Sequence, residues 1–419
     1  MYNFEALSES DRKEMLSSIG VTSIDELFDV IPKNAKMTEL NLSDGADEIE
    51  AQLALKELSK QNKTDYSCFM GGGARNRYIP SLINDISSRF EFLSCYTPYQ
   101  AEISQGSLQS MYEFQSLMCT LTNQDVSNAS VYDGASATAE AILMSARLTK
   151  KNKVFVSSDV NKNYIEVIKT YLWANDIKLI IGDKTQDTEL CAQVYQTPNK
   201  FGELVDMPQK NDKELIISIV DLMSLALFEP PNSDITVGDV QSFGIGLNFG
   251  GAYAGFITCK DAHKRQLPGR ICGKTVDKNG KTAYCLTLQA REQHIRREKA
   301  TSNICSNQAL VAFCANLYLR KLGKTGLLKI AQQSYDNAHK LAQLLQENGF
   351  EVENKEFFDE FTLNVGMSEK FLAFMKQANI LAGIKLDEQR ILVSVSEINT
   401  NKEIQNYIQN AKKLSLAKI

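Results

Sequence analysis

The chain of 419 residues is 43% hydrophobic and 23% charged, as in ordinary globular enzymes, and is long enough for one large domain and a smaller one. Its net charge of -5 disfavours nucleic acid and anionic membrane surfaces as partners, and no window approaches eighteen uninterrupted apolar residues. Nine cysteines without a C-x-x-C pair and only three histidines disfavour a metal site and predict a reducing, cytoplasmic location.

Three amphipathic patterns come first along the chain and predict short helices. The first begins after Ser8 or Ser10, and the second runs from Ser23 as cap to Pro32 as terminator. The apolar residues of the third pattern share one face: Ile49, Leu53, Leu55 and Leu58. We expect residues 1–65 to form a helical arm and not an independent domain.

After the arm, short apolar runs alternate with helical stretches. Five of these runs predict strands: KVFVSS, IKLIIG, CAQVYQ, ELIISIVD and AGFITC. Because these runs are short, largely apolar and rich in β-branched residues, they are typical of parallel strands buried on both faces, so residues 66–324 are predicted to form a large open α/β domain. Further along, DKNG at 277–280 predicts a hairpin.

The last segment, residues 325–419, predicts a smaller α/β domain. Helical patterns flank the short strands FTLNVG and RILVSVSE in a βαβ-like order. An apolar helix that begins near Asn307 is expected to lead into this domain.

A glycine turn within VYDGASATAEA is the first candidate site. Gly134, Ala135 and Ser136 follow an extended run and open a helix, which brings free backbone N–H groups and the positive end of the helix dipole to one place. This arrangement binds phosphate or carboxylate groups. A tight strand-to-helix connection packed with small residues would account for this sequence equally well.

Asp221 is the second candidate, because the apolar strand ELIISIVD stops on it. An open α/β sheet binds its ligands at the carboxyl ends of its strands, which is where this carboxylate should lie. A single aspartate at a strand end is more often a turn or cap residue. The position alone therefore leaves both roles open.

The third candidate is the loop in DVQSFGIGLNFGGAYAGF, residues 239–256. A glycine turn, a strand-end aspartate and then a loop before a glycine-rich return is the order found in pyridoxal-phosphate enzymes of the aspartate-aminotransferase type, fold type I. There the turn holds the phosphate, the aspartate keeps the pyridine nitrogen protonated, and a lysine in the loop forms the Schiff base. Here Gln241 occupies the loop, and no lysine lies between Lys213 and Lys260. An amide cannot form the aldimine.

The same motifs resemble those of a known family. YTPYQAEISQGSLQSMYEFQSLMCTLT, NASVYDGASATAEA, the run from LPGRICGK to SNQAL and the loop at 239–256 are similar to the P-protein of the glycine cleavage system, glycine decarboxylase. The resemblance extends over residues 1–419 and is to the first subunit of its two-subunit form. In that family the second subunit carries a His-Lys pair in the corresponding loop, so a missing lysine at Gln241 is what the resemblance implies.

The resemblance also implies the cofactor, the partners and the reaction. Pyridoxal 5'-phosphate is expected to be bound covalently in subunit 2 and not in this chain, within an α2β2 heterotetramer. Glycine is decarboxylated there, and the aminomethyl group passes to the lipoyl arm of H-protein. Gly134, Ala135, Ser136 and Asp221 are then expected to persist as vestiges of a cofactor site.

Two segments of this chain are candidates to reach the partner's active site. The first is YTPYQAE, with Tyr96, Tyr99 and Glu102, since a loop this aromatic is costly unless it is buried against a partner. A purely structural aromatic contact between subunits is the alternative.

The second segment is REKATSN, in which Thr301, Ser302 and Asn303 could offer hydroxyl or amide donors to a phosphate across the interface. Capping of the following helix by Ser302 or Ser306 competes with that role.

Three hypotheses follow. In the first, the chain is an essential subunit of glycine decarboxylase that lacks the Schiff-base lysine. In the second, it is a free-standing pyridoxal enzyme that uses another lysine, and Lys260 and Lys274 are the nearest candidates. In the third, it is a non-catalytic scaffold that stabilises the cofactor-bearing partner and docks H-protein.

Overall fold

The computed structural model describes residues 6–36, 41–42, 44–209, 214–304 and 307–416. The chain divides into two compact units, Met1–Thr64 and Asp65–Ile419. The domain limits drawn from the sequence, 1–65, 66–324 and 325–419, stay predictions. Among the described residues, no helix combines the length and the apolar character that a membrane span requires.

The helices and strands are numbered in chain order. The helices are α1 Glu9–Ser18, α2 Glu48–Lys60, α3 Ser81–Ser87, α4 Phe90–Leu93, α5 Gln105–Thr122, α6 Gly134–Thr149, α7 Lys162–Trp173, α8 Gln293–Arg296, α9 Ala309–Glu347, α10 Ser368–Gln377 and α11 Asn401–Leu416. The strands are β1 Ser67–Cys68, β2 Val126–Ser127, β3 Lys153–Ser157, β4 Lys178–Gly182, β5 Ala192–Thr197, β6 Leu215–Asp221, β7 Ile235–Asp239, β8 Gly255–Cys259, β9 Ile271–Val276, β10 Thr282–Thr287, β11 Glu351–Val352, β12 Glu360–Asn364, β13 Ile380–Leu381, β14 Ile384–Lys385 and β15 Arg390–Ser394.

The first unit contains two of the three predicted helices at full length. Helix α1 begins after Ser8 in a capping box, and α2 begins after Asp47, whose side chain accepts from the Glu50 N–H. The second predicted helix is wrong in length, because only a single 3₁₀ turn forms at Asp25–Phe28. The β-branched residues before Pro32 disfavour the helical conformation and stop it early.

A seven-stranded sheet is the core of the second unit, in the order β2-β8-β7-β6-β5-β3-β4. Strands β3, β4, β5, β6 and β7 pair parallel with one another, as the apolar runs predicted for the first four of them. The strand predicted at AGFITC forms as β8 but pairs antiparallel with β7, so its inclusion among the parallel strands was wrong. Strand β7 itself was not predicted, because Gly238 interrupts its apolar run.

The C-terminal strands form a separate sheet in the order β11-β12-β15-β14, and all its pairs are antiparallel. The predicted order of strand, helix and strand forms as β12, α10 and β15, but the two strands pair antiparallel, so the parallel pairing of a βαβ unit is wrong. Aliphatic and aromatic side chains from this sheet, α9, α10 and α11 pack into one buried cluster. The hairpin predicted at DKNG forms between β9 and β10.

The sheet register places the functional side chains. Asp221 ends β6 and Asp239 ends β7, and these two residues are paired neighbours at the carboxyl edge of the sheet. Helix α6 begins at the same edge, with its first residue bonded to Asp239. Because parallel strands end together, the turn, the two aspartates and the loop after β7 meet at one place.

Candidate functional site

Two of the first three N–H groups of α6, those of Gly134 and Ser136, are bonded to carboxylates of the chain itself. Asp133 caps the helix by accepting from the Ser136 N–H at 2.7 Å, and the Gly134 N–H donates to Asp239 Oδ2 at 3.2 Å. The Tyr164 hydroxyl lies directly over Gly134, where a Cβ atom would come within 2.1 Å of it. Two carboxylates and a phenol therefore take the place in which the turn was predicted to hold an anion.

Asp239 is the site residue that the sequence analysis missed. Its Oδ1 accepts from the Gln241 N–H at 2.8 Å, and its other oxygen accepts from Gly134. The pKa of Asp239 is raised to about 7: burial is the largest cause, Asp133 adds to the rise, and the backbone hydrogen bonds oppose it. The only available signal was that this carboxylate opens the glycine-rich stretch at 239–256.

Asp221 faces a cation supplied by this chain. The Arg75 guanidinium lies 3.2 Å from Asp221 Oδ2, 3.2 Å from Asp359 Oδ1 and 2.9 Å from Glu360 Oε2. Burial opposes the charge of Arg75, but the three carboxylates together outweigh burial and raise its pKa. The guanidinium stays charged, and Asp221 is engaged in an ion pair.

A second arginine extends this cluster into the C-terminal part of the chain. Arg77 lies 2.5 Å from Asp359 Oδ2 and 2.8 Å from Glu397 Oε2, and it is almost fully buried. Neither arginine was identified from the sequence. Two basic residues directly after a glycine turn, in GGGARNR, were the signal that could have indicated a buried ion pair.

Gln241 occupies the loop position where a Schiff-base lysine was sought, and its amide is fully engaged. Its Oε1 accepts from the Arg75 N–H at 2.9 Å, while Nε2 donates to the carbonyls of Arg75 and Ile245, each at 2.9 Å. The side chain is 2% exposed. The Gln241 amide thus bonds both the N–H and the carbonyl of Arg75, and these two bonds fix the two residues relative to each other.

The cleft that remains beside these residues is small. About 50 Å³ is free between Arg75, Asp221, Asp239 and Gln241, compared with roughly 300 Å³ or more in small-molecule sites. Lys200, which the sequence analysis did not consider, also lines this cleft, and its amine donates to the Ser158 carbonyl at 2.5 Å.

The residues present do not fit pyridoxal phosphate. The phosphate turn is closed by Asp239 and Tyr164, the aspartate expected to bind the pyridine nitrogen is paired with Arg75, and the loop offers an amide. The structure thus brings Gly134, Asp221 and Gln241 together, as the sequence predicted, but around Arg75.

The aromatic loop candidates lie elsewhere. The Tyr99 hydroxyl accepts from Arg270 at 3.3 Å, and its ring packs edge-on against His294 with centroids 5.4 Å apart. Glu292 completes this group, 3.7 Å from Arg270 and 3.6 Å from His294. Tyr99 is therefore joined to residues 292–294, which precede the second candidate segment, REKATSN at 297–303. Tyr96 and Glu102 are exposed on the same loop.

The 301–303 segment is held by contacts within the chain. The Thr301 N–H donates to the Arg291 carbonyl at 3.2 Å, Ser302 donates to Glu140 Oε1 at 2.8 Å, and Asn303 is exposed. Helix α9 begins after Gln308 without a side-chain cap, so Ser302 is not its cap. Ser306, the other predicted cap, lies outside the described residues.

Comparisons with known proteins agree over almost the whole chain. The family model described as "Glycine cleavage system P-protein" matches residues 4–411. A protein of Carboxydothermus hydrogenoformans named "Probable glycine dehydrogenase (decarboxylating) subunit 1" is 41% identical over 432 residues, 95% of this chain and 96% of that protein.

Solved structures agree as well. The crystal structure of a glycine decarboxylase (P-protein) of the glycine cleavage system, in inhibitor-bound form, has a TM-score of 0.91 at 34% identity and covers 99% of this chain and 100% of that one. An aspartate aminotransferase from Thermus thermophilus shares the fold alone. Its TM-score is 0.56 at 11% identity, and the match covers 84% of this chain and 99% of that one. The predicted fold type I architecture is confirmed.

Proposed function

The chain belongs to the glycine cleavage system P-protein family, and on that basis we propose that it is the subunit of its enzyme that carries no cofactor of its own. It is one subunit of glycine dehydrogenase (decarboxylating), and the numbering of its relatives as subunit 1 implies a partner subunit. The family's fold is that of pyridoxal-phosphate enzymes. We further propose which subunit binds the cofactor and which one supplies positioning groups.

The engaged amide of Gln241 is the observation that supports this distribution. Covalent attachment of pyridoxal phosphate requires a free amine, and Gln241 instead bonds Arg75 and Ile245. Lys260, one of the two lysines considered for a free-standing enzyme, follows β8, which runs antiparallel and ends at the opposite edge of the sheet. The other, Lys274, lies on β9 of the separate hairpin. We therefore place the cofactor in subunit 2.

This chain contributes binding surface and positioning groups in the proposed α2β2 complex. Tyr99, Arg270, Glu292 and His294 form a rigid polar group held by three mutual contacts. Thr301 is tied to the same segment through Arg291. We propose that this group faces the active site of subunit 2, where it orients bound glycine and helps to exclude water while the aminomethyl group passes to lipoylated H-protein.

The test begins with separate purification of this chain and subunit 2, followed by mixing. Glycine–bicarbonate exchange is expected only in the mixture, and borohydride reduction should fix pyridoxal phosphate to subunit 2 alone, as seen by the intact mass of each chain. Exchange by this chain without its partner, or a reduced label on its Lys200, Lys260 or Lys274, would contradict the proposal.

The scaffold alternative is separated by substitutions in the polar group. Tyr99→Phe and Thr301→Ala should lower exchange by roughly tenfold or more without reducing co-purification, because each removes one hydroxyl and little volume. Thr120→Ala is the matched control, since Thr120 is exposed on α5 and donates only to the Ser116 carbonyl. Unchanged exchange in both variants would favour the non-catalytic scaffold.

A further inference from the structure

We propose that Arg75 is a tethered ligand of this chain's former cofactor site, so that the site is specific for a planar guanidinium cation. Emptied of Arg75, it should bind a small guanidinium compound in preference to pyridoxal phosphate. The inference concerns only groups within this chain, and it does not depend on glycine decarboxylation or on the partner subunit.

Arg75 is held at both positions that a pyridoxal site would use. Its backbone N–H and carbonyl bond the two ends of the Gln241 amide, at the position where a Schiff-base lysine was sought. Its guanidinium meets Asp221, at the position where the pyridine nitrogen would be held. One residue therefore hydrogen-bonds the amide at one end of the site and neutralises the carboxylate at the other.

Charge makes the guanidinium necessary. Arg75 and Arg77 face four carboxylates, those of Asp221, Asp359, Glu360 and Glu397, and these side chains are at most 10% exposed. Without Arg75 a single arginine would remain against all four carboxylates. Buried carboxylates that lose their cation are strongly destabilising, and water in a small cleft cannot replace the lost charge.

Shape selects a forked cation over a compact one. Three different nitrogens of the Arg75 head group lie within 3.2 Å of three carboxylates: Nη2 donates to Glu360 at 2.9 Å, and Nη1 and Nε form ion pairs with Asp221 and Asp359 without hydrogen-bond alignment. Glu360 is fixed in turn, since its Oε1 accepts from the Gly72 N–H at 2.7 Å. A planar group with several donors matches this arrangement, whereas an ammonium ion is a point charge.

The other end of the site rejects an anionic ligand. Asp239 accepts from the Gly134 N–H, and the Tyr164 hydroxyl covers that glycine. A phosphate group would have to displace both and approach the Asp133 and Asp239 carboxylates. This is why removing Arg75 alone should not restore cofactor binding.

The experiment is chemical rescue of the isolated chain, followed by thermal unfolding. Arg75→Ala is expected to lower Tm by about 5 °C or more, because a buried cation is lost. Ethylguanidinium chloride at about 20 mM, far below the molar concentrations that unfold proteins, should restore at least half of that loss. Ethylammonium chloride and sodium chloride at the same ionic strength should restore little.

Two controls make the result specific. Arg89→Ala removes an exposed arginine paired with Glu91, and it should change neither Tm nor the response to ethylguanidinium. Pyridoxal phosphate should neither raise the Tm of Arg75→Ala nor give a yellow protein. A Tm of Arg75→Ala equal to that of the wild type, equal rescue by the three salts, or stabilisation by pyridoxal phosphate would each overturn the inference.

Arg75→Lys covers the case in which the alanine variant gives no folded protein. Lysine keeps the charge but cannot reach three carboxylates at once, so a Tm below that of the wild type is expected. A lysine variant with the wild-type Tm would show that the forked shape is not required and would overturn the inference. All measurements use this chain alone, so they are independent of the outcome of the exchange assay.

Discussion

Asp239 is a carboxylate whose surroundings favour its protonated form. Its oxygens accept from two backbone N–H groups, those of Gln241 and Gly134. Asp133 and Tyr164 lie close to it, and neither supplies a positive charge. Burial raises its pKa to about 7, compared with 3.8 for an exposed aspartate. Between those two values the folded chain holds a proton that the unfolded chain has released. The free energy of unfolding must therefore decrease as pH rises through this window.

Replacing Asp239 by Asn removes this titration and keeps one acceptor oxygen. We expect the stability of the wild type relative to Asp239→Asn to fall by up to about 1.4 kcal/mol per pH unit between about pH 4 and 7, and to level off above pH 7. Urea unfolding of both proteins at pH 5, 6, 7 and 8 measures it. Asp359, whose pKa is also raised by burial, is present in both proteins and cancels in the difference. A difference that is constant or grows with pH would contradict the expectation.

Gln241 and Arg75 show where sequence reasoning ends at this scale. The missing amine at Gln241 could be predicted, because the loop is recognised by its position after a strand and before a glycine-rich return. Its partner could not, since Arg75 lies 166 positions away and the contact is made by backbone atoms. Nothing in a single sequence relates two such positions.

Gln241→Lys tests whether the lysine alone restores the lost chemistry. We expect it not to, because the new amine would lose the bond from the Arg75 N–H and place a second cation beside Arg75. The variant should remain colourless with pyridoxal phosphate and be less stable by roughly 2–4 kcal/mol. Gln109→Lys, at an exposed position of α5, is the control that should leave stability unchanged. A yellow protein with borohydride-fixable label would contradict this prediction.

At the scale of elements, β8 and the segment before α6 approach each other through a glycine. A Cβ atom on Gly255 would lie 2.1 Å from the Asp133 carbonyl oxygen, which belongs to the backbone that caps α6. Val131 and Gly255 exchange hydrogen bonds at 2.8 and 3.0 Å across the same contact. The glycine-rich stretch at 239–256 therefore contains at least one glycine required by close packing.

Gly255→Ala should accordingly be costly. The backbone of Asp133 cannot move away without disturbing the start of α6, so we expect a loss of about 3 kcal/mol or more in the free energy of unfolding. Gly273→Ala on β9 is the matched control, because its Cβ would meet the Thr287 side chain at an ordinary 3.4 Å. Chemical denaturation of the two variants compares them directly. Equal losses in both would show that the close approach at Gly255 is not the cause.

The strands were predicted where an apolar run was uninterrupted and missed where a glycine divided it. Strands β3, β4 and β6 contain uninterrupted apolar stretches, so their pattern was sufficient. Strand β7 was not predicted because Gly238 interrupts its apolar pattern. This glycine is required by close packing, since a Cβ atom there would lie only 2.5 Å from the Val220 carbonyl oxygen. The direction of β8 and of the C-terminal strands could not be predicted, since pairing direction depends on connections that single strands do not encode.

At the scale of the whole molecule, much apolar surface is left exposed. None of the described residues in 6–64 is buried, and the predicted apolar face of α2 is exposed at Ile49, Leu53, Leu55 and Leu58. Soluble proteins that work alone rarely expose such faces, whereas subunits of stable complexes do. The composition could not predict this, because an amphipathic pattern gives the apolar side of a helix but not what covers it.

Phe249 is the most exposed of these apolar residues and tests the requirement for a partner. It is fully exposed and has a positive φ of 56°, which is unfavourable for an aromatic residue and brings no packing in return within this chain.

Phe249→Asn should leave the Tm of the isolated chain unchanged or higher, because asparagine tolerates this conformation. It should weaken association with subunit 2 by roughly tenfold or more, as the loss of a buried aromatic contact does at an interface. Titration of labelled subunit 2 measures the association, and Trp173→Asn, at an exposed position that ends α7, is the comparison variant. Unchanged association in Phe249→Asn would mean that its strained, exposed side chain serves something other than assembly.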